Sequence, residues 1–426
     1  MTTYRAALAI TLLLGTAAPA WAQSYQQPAA PATQAPAAAA TPAPATPARQ
    51  PNVNRREAVA IQPLLAAAQA NDWATAGTLL PAATEAARSA DAKYLVGQIR
   101  RLVGVNTQNR QLESQGLDEM IASGWAAPAD VPGLYSLQFD LAVRMNDNAK
   151  AERAIAEMTR LNPNDVNLAL RLAQLRLNAN DRPGAIQIYQ RAIQQQQAAG
   201  QAVPVEWRRN VMSIAYQARL PQTIPLMREY LATTPTAANW HDAMVIYQQI
   251  ASADNALQLD LFRLMRAANA MSGESDYMNY WQVANEARLF GEAKFALEEG
   301  LSRNLIRTNA AAARERLPVA TQRANDDRTS FAADRARILA GSDGSAALAL
   351  GDIYYTYGQY ADAAALYRAA GTKSGVDANI ANLRLGAALA LAGQRAEAET
   401  ALRAVGAGNR QELAQYWLLW LSTPRS

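Results

Sequence analysis

A set of small and apolar residues returns along this chain every 34 or 35 positions, and that period constrains the fold more than any other feature. Leu350-Gly351, Tyr354, Gly358, Ala363, Tyr367 and Ala370 recur as Leu385-Gly386, Leu389, Gly393, Ala398, Leu402 and Val405. Upstream, Ala142, Asn146, Ala151, Ile155 and Met158, followed by Pro163, precede Leu172-Ala173, Asn180, Ala185, Tyr189 and Ala192. A first copy is Leu64, Ala67, Asn71, Ala76, Leu80 and Ala83. Between these marks the apolar residues follow three- and four-residue spacing, and Asn, Asp, Gly or Pro separate segments of helical length. A repeat of this length is one helical hairpin, which cannot bury its apolar face alone and must stack on its neighbours.

Each recurring position has a physical role. Small residues facing one another let the two helices of a hairpin approach closely. Gly or Asn at the turn accepts the left-handed conformation that ends a helix. The large residue four positions after the Ala is expected to pack onto the following repeat. These offsets resemble the tetratricopeptide-repeat (TPR) family, in its exported bacterial form, with the Leu-Gly, Tyr, Ala and aromatic positions in register. The resemblance implies an all-α, right-handed superhelical solenoid of about eight to ten helix-turn-helix repeats over 55–408. It is uneven. Asp260 and Arg263 stand where bulky and small residues are expected, Gly300 stands at a large position, and 91–124 and 309–341 keep the length of two helices with little of the motif. Residues 409–426, with Tyr416-Trp417-Leu418-Leu419-Trp420-Leu421, read as a capping helix and tail.

The N-terminal 54 residues differ in kind. Residues 1–22 read as an export signal: Arg5 supplies a positive start, Leu12-Leu13-Leu14 centre an apolar run, and Ala20-Trp21-Ala22 provides small residues for cleavage. Residues 23–54 are Pro, Ala, Gln and Thr with few charges, a composition that favours an extended, disordered tether. The expected location is the periplasm, with secretion as the variant.

Composition removes several functions. There is no Cys, which excludes disulfides and thiolate chemistry, and the single His241 excludes histidine-cluster metal sites. Forty basic against 36 acidic residues leave a net charge of only +4 and no dense basic run, so nucleic acid is not an expected partner. No nucleotide-binding glycine loop or Gly-x-Ser-x-Gly elbow is present, and Glu298-Glu299 point apart on a helix. Glu113-Ser114 resembles the catalytic pair of lytic transglycosylases without the sequence expected downstream. No catalytic, metal or cofactor residue is therefore expected.

The TPR resemblance implies that first-helix positions line a binding groove. Carried onto this sequence they are Asp140 and Arg144, Gln174 and Asn178, Arg208 and Tyr216, His241 and Gln248, Trp281, Asn285 and Arg288, Asp352 and Tyr355, and Arg384. Amides, guanidinium groups and aromatic rings suit extended peptides, and also sugar rings. The expectation is a non-enzymatic scaffold binding envelope proteins or peptide segments. The alternatives are an accessory component of exopolysaccharide or envelope-polymer assembly, with polysaccharide as ligand, and a glycan-cleaving enzyme on a helical superhelix.

Overall fold

The local code that makes the hairpins is an Asn-Asp pair at the turn. In a computed structural model describing residues 51–251 and 253–423, Asn71, Asn146 and Asn180 adopt φ values of 55°, 57° and 62°. Each turns the chain out of one helix, and the next residue caps the following one. Asp72, Asp147 and Asp181 accept hydrogen bonds from the backbone N–H groups of Thr75, Lys150 and Gly184 at 2.9–3.0 Å. Asn tolerates the left-handed region and Asp satisfies a helix's first free donors, so two adjacent residues reverse the chain. Gly358 and Gly393 take the same place in the last copies, at φ 74° and 80°. The expected signal segment, and all but 51–54 of the expected linker, lie outside the described residues.

The described residues form two compact units, 51–218 and 219–423. The first contains α1 (Arg55–Gln69), α2 (Trp73–Ala86), α3 (Ala90–Asn106), α4 (Arg110–Ser123) and α5 (Val131–Arg144). It continues with α6 (Asn148–Leu161), α7 (Val166–Asn178), α8 (Arg182–Ala198) and α9 (Val205–Gln217). The second contains α10 (Thr223–Thr233), α11 (Ala237–Ala251), α12 (Asn255–Ala267), α13 (Glu274–Glu286), α14 (Phe290–Ser302) and α15 (Ala310–Ala340). After these come α16 (Gly344–Thr356), α17 (Tyr360–Gly371), α18 (Ala378–Leu391), α19 (Arg395–Arg403) and α20 (Asn409–Ser422). All named elements among the described residues are α-helices.

In the first unit each helix packs on its sequence neighbours. Ile61, Leu64, Leu80, Val96, Ile99 and Val103 fill the interior of the first hairpins, and Phe139, Ile155, Met158 and Leu175 a later one. The stretch 91–124 does fold as a hairpin, α3 on α4, through glycine rather than through the recurring Leu-Gly mark. A Cβ on Gly116 would lie 2.4 Å from the Arg101 backbone N and 2.5 Å from the Gly97 O, so the two backbones nearly touch. Buried Glu57 ties α1 to α3 by accepting from the N–H groups of Arg88 and Ser89.

The second unit departs from the sequence expectation in three places. The stretch 309–341 is not two helices but α15 alone, 31 residues running through Pro318. Instead of folding back, it lays Arg316, Arg323, Arg328 and Arg335 over the rings of Trp281, Phe290, Tyr357 and Tyr354. Tyr367, the large residue after Ala363, sits against Gly351 of its own hairpin, where a Cβ would come within 2.7 Å of the ring. Leu402 does the same to Gly386, so the small-large pair closes a hairpin from within. Thirdly, α20 covers α18 and α19 as a cap would, but it also reaches α10 and α12 at the start of the unit, and α12 meets α18. The second unit thus closes on itself. Gly300 has a simpler account: the Tyr277 ring and Ile306 occupy the space a larger side chain would need.

Candidate functional site

The period that builds the hairpins also aligns their surface residues. Asp140 on α5, Gln174 on α7 and Arg208 on α9 are 34 positions apart and occupy equivalent places on successive first helices. Arg144 and Asn178 repeat the relation one turn further on. Asp140, Arg144 and Asn178 are exposed, and Gln174, Arg208 and Tyr216 are half-buried. Gln174 donates to the Asn178 side chain at 3.0 Å. Asp140 sits 3.5 Å from the Arg171 guanidinium, which also lies over the Phe139 ring and donates to Ser136 Oγ.

A second row beside the first was not anticipated. Leu137, Arg171 and Val205 share the same 34-residue offset, three positions before Asp140, Gln174 and Arg208. Leu137 and Val205 are each 42% exposed. The signal was present in the spacing, but a groove rule that names only a few first-helix positions passes over them. Together the rows offer two apolar contacts, a guanidinium held by a carboxylate and a ring, and several amides. All these charged side chains are at least partly solvated, so their chemistry is hydrogen bonding and weak ion pairing.

In the second unit the positions carried over from the resemblance do something else. Asp352, Tyr355 and Arg384 are buried and face other helices of the same unit, not an open groove. Arg384 donates from Nε to Asp260 Oδ1 at 2.9 Å and from Nη1 to Asp352 Oδ2 at 2.5 Å. Arg263 donates to Glu292 Oε1 and Asp352 Oδ1, each at 3.0 Å, with its guanidinium carbon 4.3 Å from the Tyr355 ring centre. Tyr367 donates its hydroxyl proton to Asp352 Oδ1 at 2.7 Å. Asp260 and Arg263, which broke the repeat pattern, are therefore the partners of groove-position residues. Glu292 is the member that sequence spacing did not reveal. Burial pushes the Glu292 carboxyl up, against the pull of Arg263, while the same carboxylates hold Arg263 cationic despite its full burial.

The remaining candidates are scattered. Trp281 is covered by Arg316, Gln248 and Asn285 are half-buried, and Arg288 is an exposed turn residue at φ 59°. His241 lies between Asp242 and Asp276, with ring nitrogens 3.5 and 3.3 Å from their carboxylates. Hydrogen bonding to Asp242 and then Asp276 raises its pKa to about 9, outweighing the opposing burial. It is thus an imidazolium at neutral pH, suited to joining α11 to α13 and not to accepting a proton. Ser114 is buried and receives a hydrogen bond from Lys150 Nζ, which also donates to Asp118 at 2.7 Å. Lys150 thus ties α6 to Ser114 and Asp118 of α4.

No protein-family model matches this chain, and no curated protein matches it. Among solved structures, a tetratricopeptide-repeat protein from Parabacteroides merdae is similar over 63% of this chain and 100% of its own. Its identity is 11% and its TM-score 0.27. The pilF protein of Pseudomonas aeruginosa is similar over 57% of this chain and 90% of its own, with 12% identity and a TM-score of 0.23. Superpositions this loose add nothing to the hairpin geometry, which makes the case for the architecture by itself.

Proposed function

We propose that the chain is a non-enzymatic protein-binding scaffold, exported to the periplasm and working in the cell envelope. One observation carries the binding reading. On the first unit, Arg171 of α7 reaches Ser136 and Asp140 of α5, and the 34-residue offset puts exposed Leu137 and Val205 at the positions on α5 and α9 equivalent to Arg171. An extended segment of a partner protein could meet this strip through its main chain, through carboxylates at Arg171 and Arg208, and through apolar side chains at Leu137 and Val205. The export reading rests on the charge, apolar run and small-residue exit of residues 1–22. For the polymer-assembly alternative, the rings at Trp281 and Tyr355 each carry a guanidinium, Arg316 and Arg263, on one face.

The test compares envelope proteins recovered with the unaltered chain and with a Leu137→Ala/Arg171→Ala variant. These side chains are partly exposed, so folding stability should move by about 1 kcal/mol or less in total. Partner recovery should fall about tenfold, equivalent to about 1.4 kcal/mol. Equal recovery of the same proteins by both chains would remove the strip from the account.

A further inference from the structure

The first unit presents its strip to solvent, whereas the second holds a helix of its own where another chain could bind. We propose that α20 occupies a displaceable seat, and that the partner fitting this seat is an amphipathic helix with α20's own pattern. That pattern is an acidic residue, an aromatic pair one turn later, then an aromatic-aliphatic pair after a further turn. The proposal deepens the scaffold reading by naming the kind of partner for the second unit, and it rests on that reading.

Leu413, Tyr416, Trp417, Trp420 and Leu421 form one stripe on α20, each no more than 8% exposed. Much of what they and their neighbours touch comes from far upstream. Tyr416 meets Trp240 and Tyr247 of α11 edge-on, with ring centres 6.3 and 6.0 Å apart. Glu412 pairs with Arg228 of α10 at 2.5 Å, and the Arg228 guanidinium lies over the Tyr416 ring. Trp420 donates its indole N–H to the Ala267 carbonyl at 3.1 Å, the Asn409 side-chain amide donates to the Ala251 carbonyl, and the Tyr247 hydroxyl donates to the Asn409 carbonyl. The seat therefore supplies aromatic edges, a cation, carbonyls and the Tyr247 hydroxyl, while the helix supplies rings, a carboxylate, two donors and the Asn409 carbonyl. This is the division of chemistry found when a helix lies in another protein's groove.

The attachment suits release. The chain enters α20 through Gly406-Ala407-Gly408, and Gly408 holds φ 128°, a conformation open to glycine but strained for other residues. A cavity of about 230 Å³ lies at this hinge, lined by Asp254, Asp377, Gly408 and Arg410 among others. The α18–α19 hairpin keeps its own closure, Leu402 against Gly386.

The experiment uses the full chain and a fluorescent peptide of its residues 409–422. A Glu412→Ala/Trp420→Ala chain, whose own helix is weakened while the seat is intact, should bind the peptide at least tenfold more tightly than the unaltered chain. A Y416A/W417A peptide should not bind, and adding Arg228→Ala to the weakened chain should reduce uptake of the native peptide. Equal binding by both chains, or none by either, overturns the proposal. Hydrogen exchange on the unaltered chain tests it without any substitution. Amides of 413–421 should exchange at least tenfold faster than those of 383–390 in α18, and equal protection overturns the proposal. Partner capture by the first unit's strip is measured separately, so failure of the scaffold reading is distinguishable from failure of the seat.

Discussion

Arg384 and Asp260 are 124 positions apart in the chain, yet the Arg384 Nε lies 2.9 Å from the Asp260 Oδ1 with both side chains buried. Their pairing joins α18 to α12 and is the polar centre of the closure in the second unit. A buried ion pair adds little net stability over a well-packed apolar pair, but breaking it is costly. Arg384→Ala leaves Arg263 to face Asp260, Asp352 and Glu292 without the second guanidinium and should cost about 3–5 kcal/mol. Denaturant unfolding should show that loss, and Arg384→Lys, which keeps the charge but not the two-pronged geometry, should lose less. An unchanged midpoint would mean the network is not holding α12 to α18.

His241 gives the molecule an alkaline weakness. Its folded pKa of about 9 exceeds the unfolded 6.5, so its ion pairs with Asp242 and Asp276 contribute fully below pH 6.5. That contribution falls as pH rises from 6.5 and is gone once the folded group has titrated, near pH 9. Melting temperatures from pH 6 to 10 should decline more steeply for the unaltered chain than for His241→Gln. Parallel curves would contradict the assignment.

Glu274 makes the complementary prediction in acid. Burial is the largest single influence and pushes its carboxyl up, but the N–H groups of Arg307, Thr308 and Asn309 together with the Asn309 side-chain amide outweigh it and bring it to about 2. A depressed carboxyl contributes stability above its unfolded pKa of 4.5 and loses it as pH falls through 4.5 toward 2. Glu274→Gln should therefore flatten the stability profile between pH 5 and 2, and an unchanged slope would contradict the reading.

The turn residues are testable one at a time. Asn180 is held at φ 62°, so Asn180→Ala should destabilise by about 1–2 kcal/mol while Asn180→Gly should not. Asp181→Ala removes the cap on α8 and should cost about 1 kcal/mol. Urea midpoints at constant slope would measure all three, and equal effects of Ala and Gly at 180 would dispose of the conformational argument.

Gly116→Ala should be among the most damaging single-methyl changes in the first unit. The added carbon meets backbone atoms of Arg101 and Gly97, which cannot move aside as a flexible side chain would. A loss of about 1–3 kcal/mol or more is expected from overpacking of this kind, read as a lowered melting temperature. Gly133→Ala, with open space around it, serves as the control.

How much was legible follows from which interactions are local. The turns at Asn71, Asn146, Asn180, Gly358 and Gly393, and the helices they join, follow from chemistry within a few residues, and the period exposes them. The equivalence of Asp140, Gln174 and Arg208 is also periodic, and the same period contains Leu137, Arg171 and Val205. Closure of the second unit is not periodic. It depends on Arg384 meeting Asp260 and on Trp240 meeting Tyr416, contacts between residues more than 100 positions apart. Its one trace in the sequence was negative: charged residues at 260 and 263 where a repeat calls for apolar or small ones. The long α15 was hidden for a related reason, since its arginines are held by rings of other helices, Trp281, Phe290, Tyr354 and Tyr357, and not by contacts within its own segment.

The most direct test of the scaffold reading places a photo-activated cross-linking residue at Gln174, on the strip, or at exposed Gln187 on α8, and captures neighbours inside living cells. The account predicts that position 174 traps one recurrent envelope protein that position 187 does not. No capture at 174, or the same proteins trapped from both positions, would contradict it.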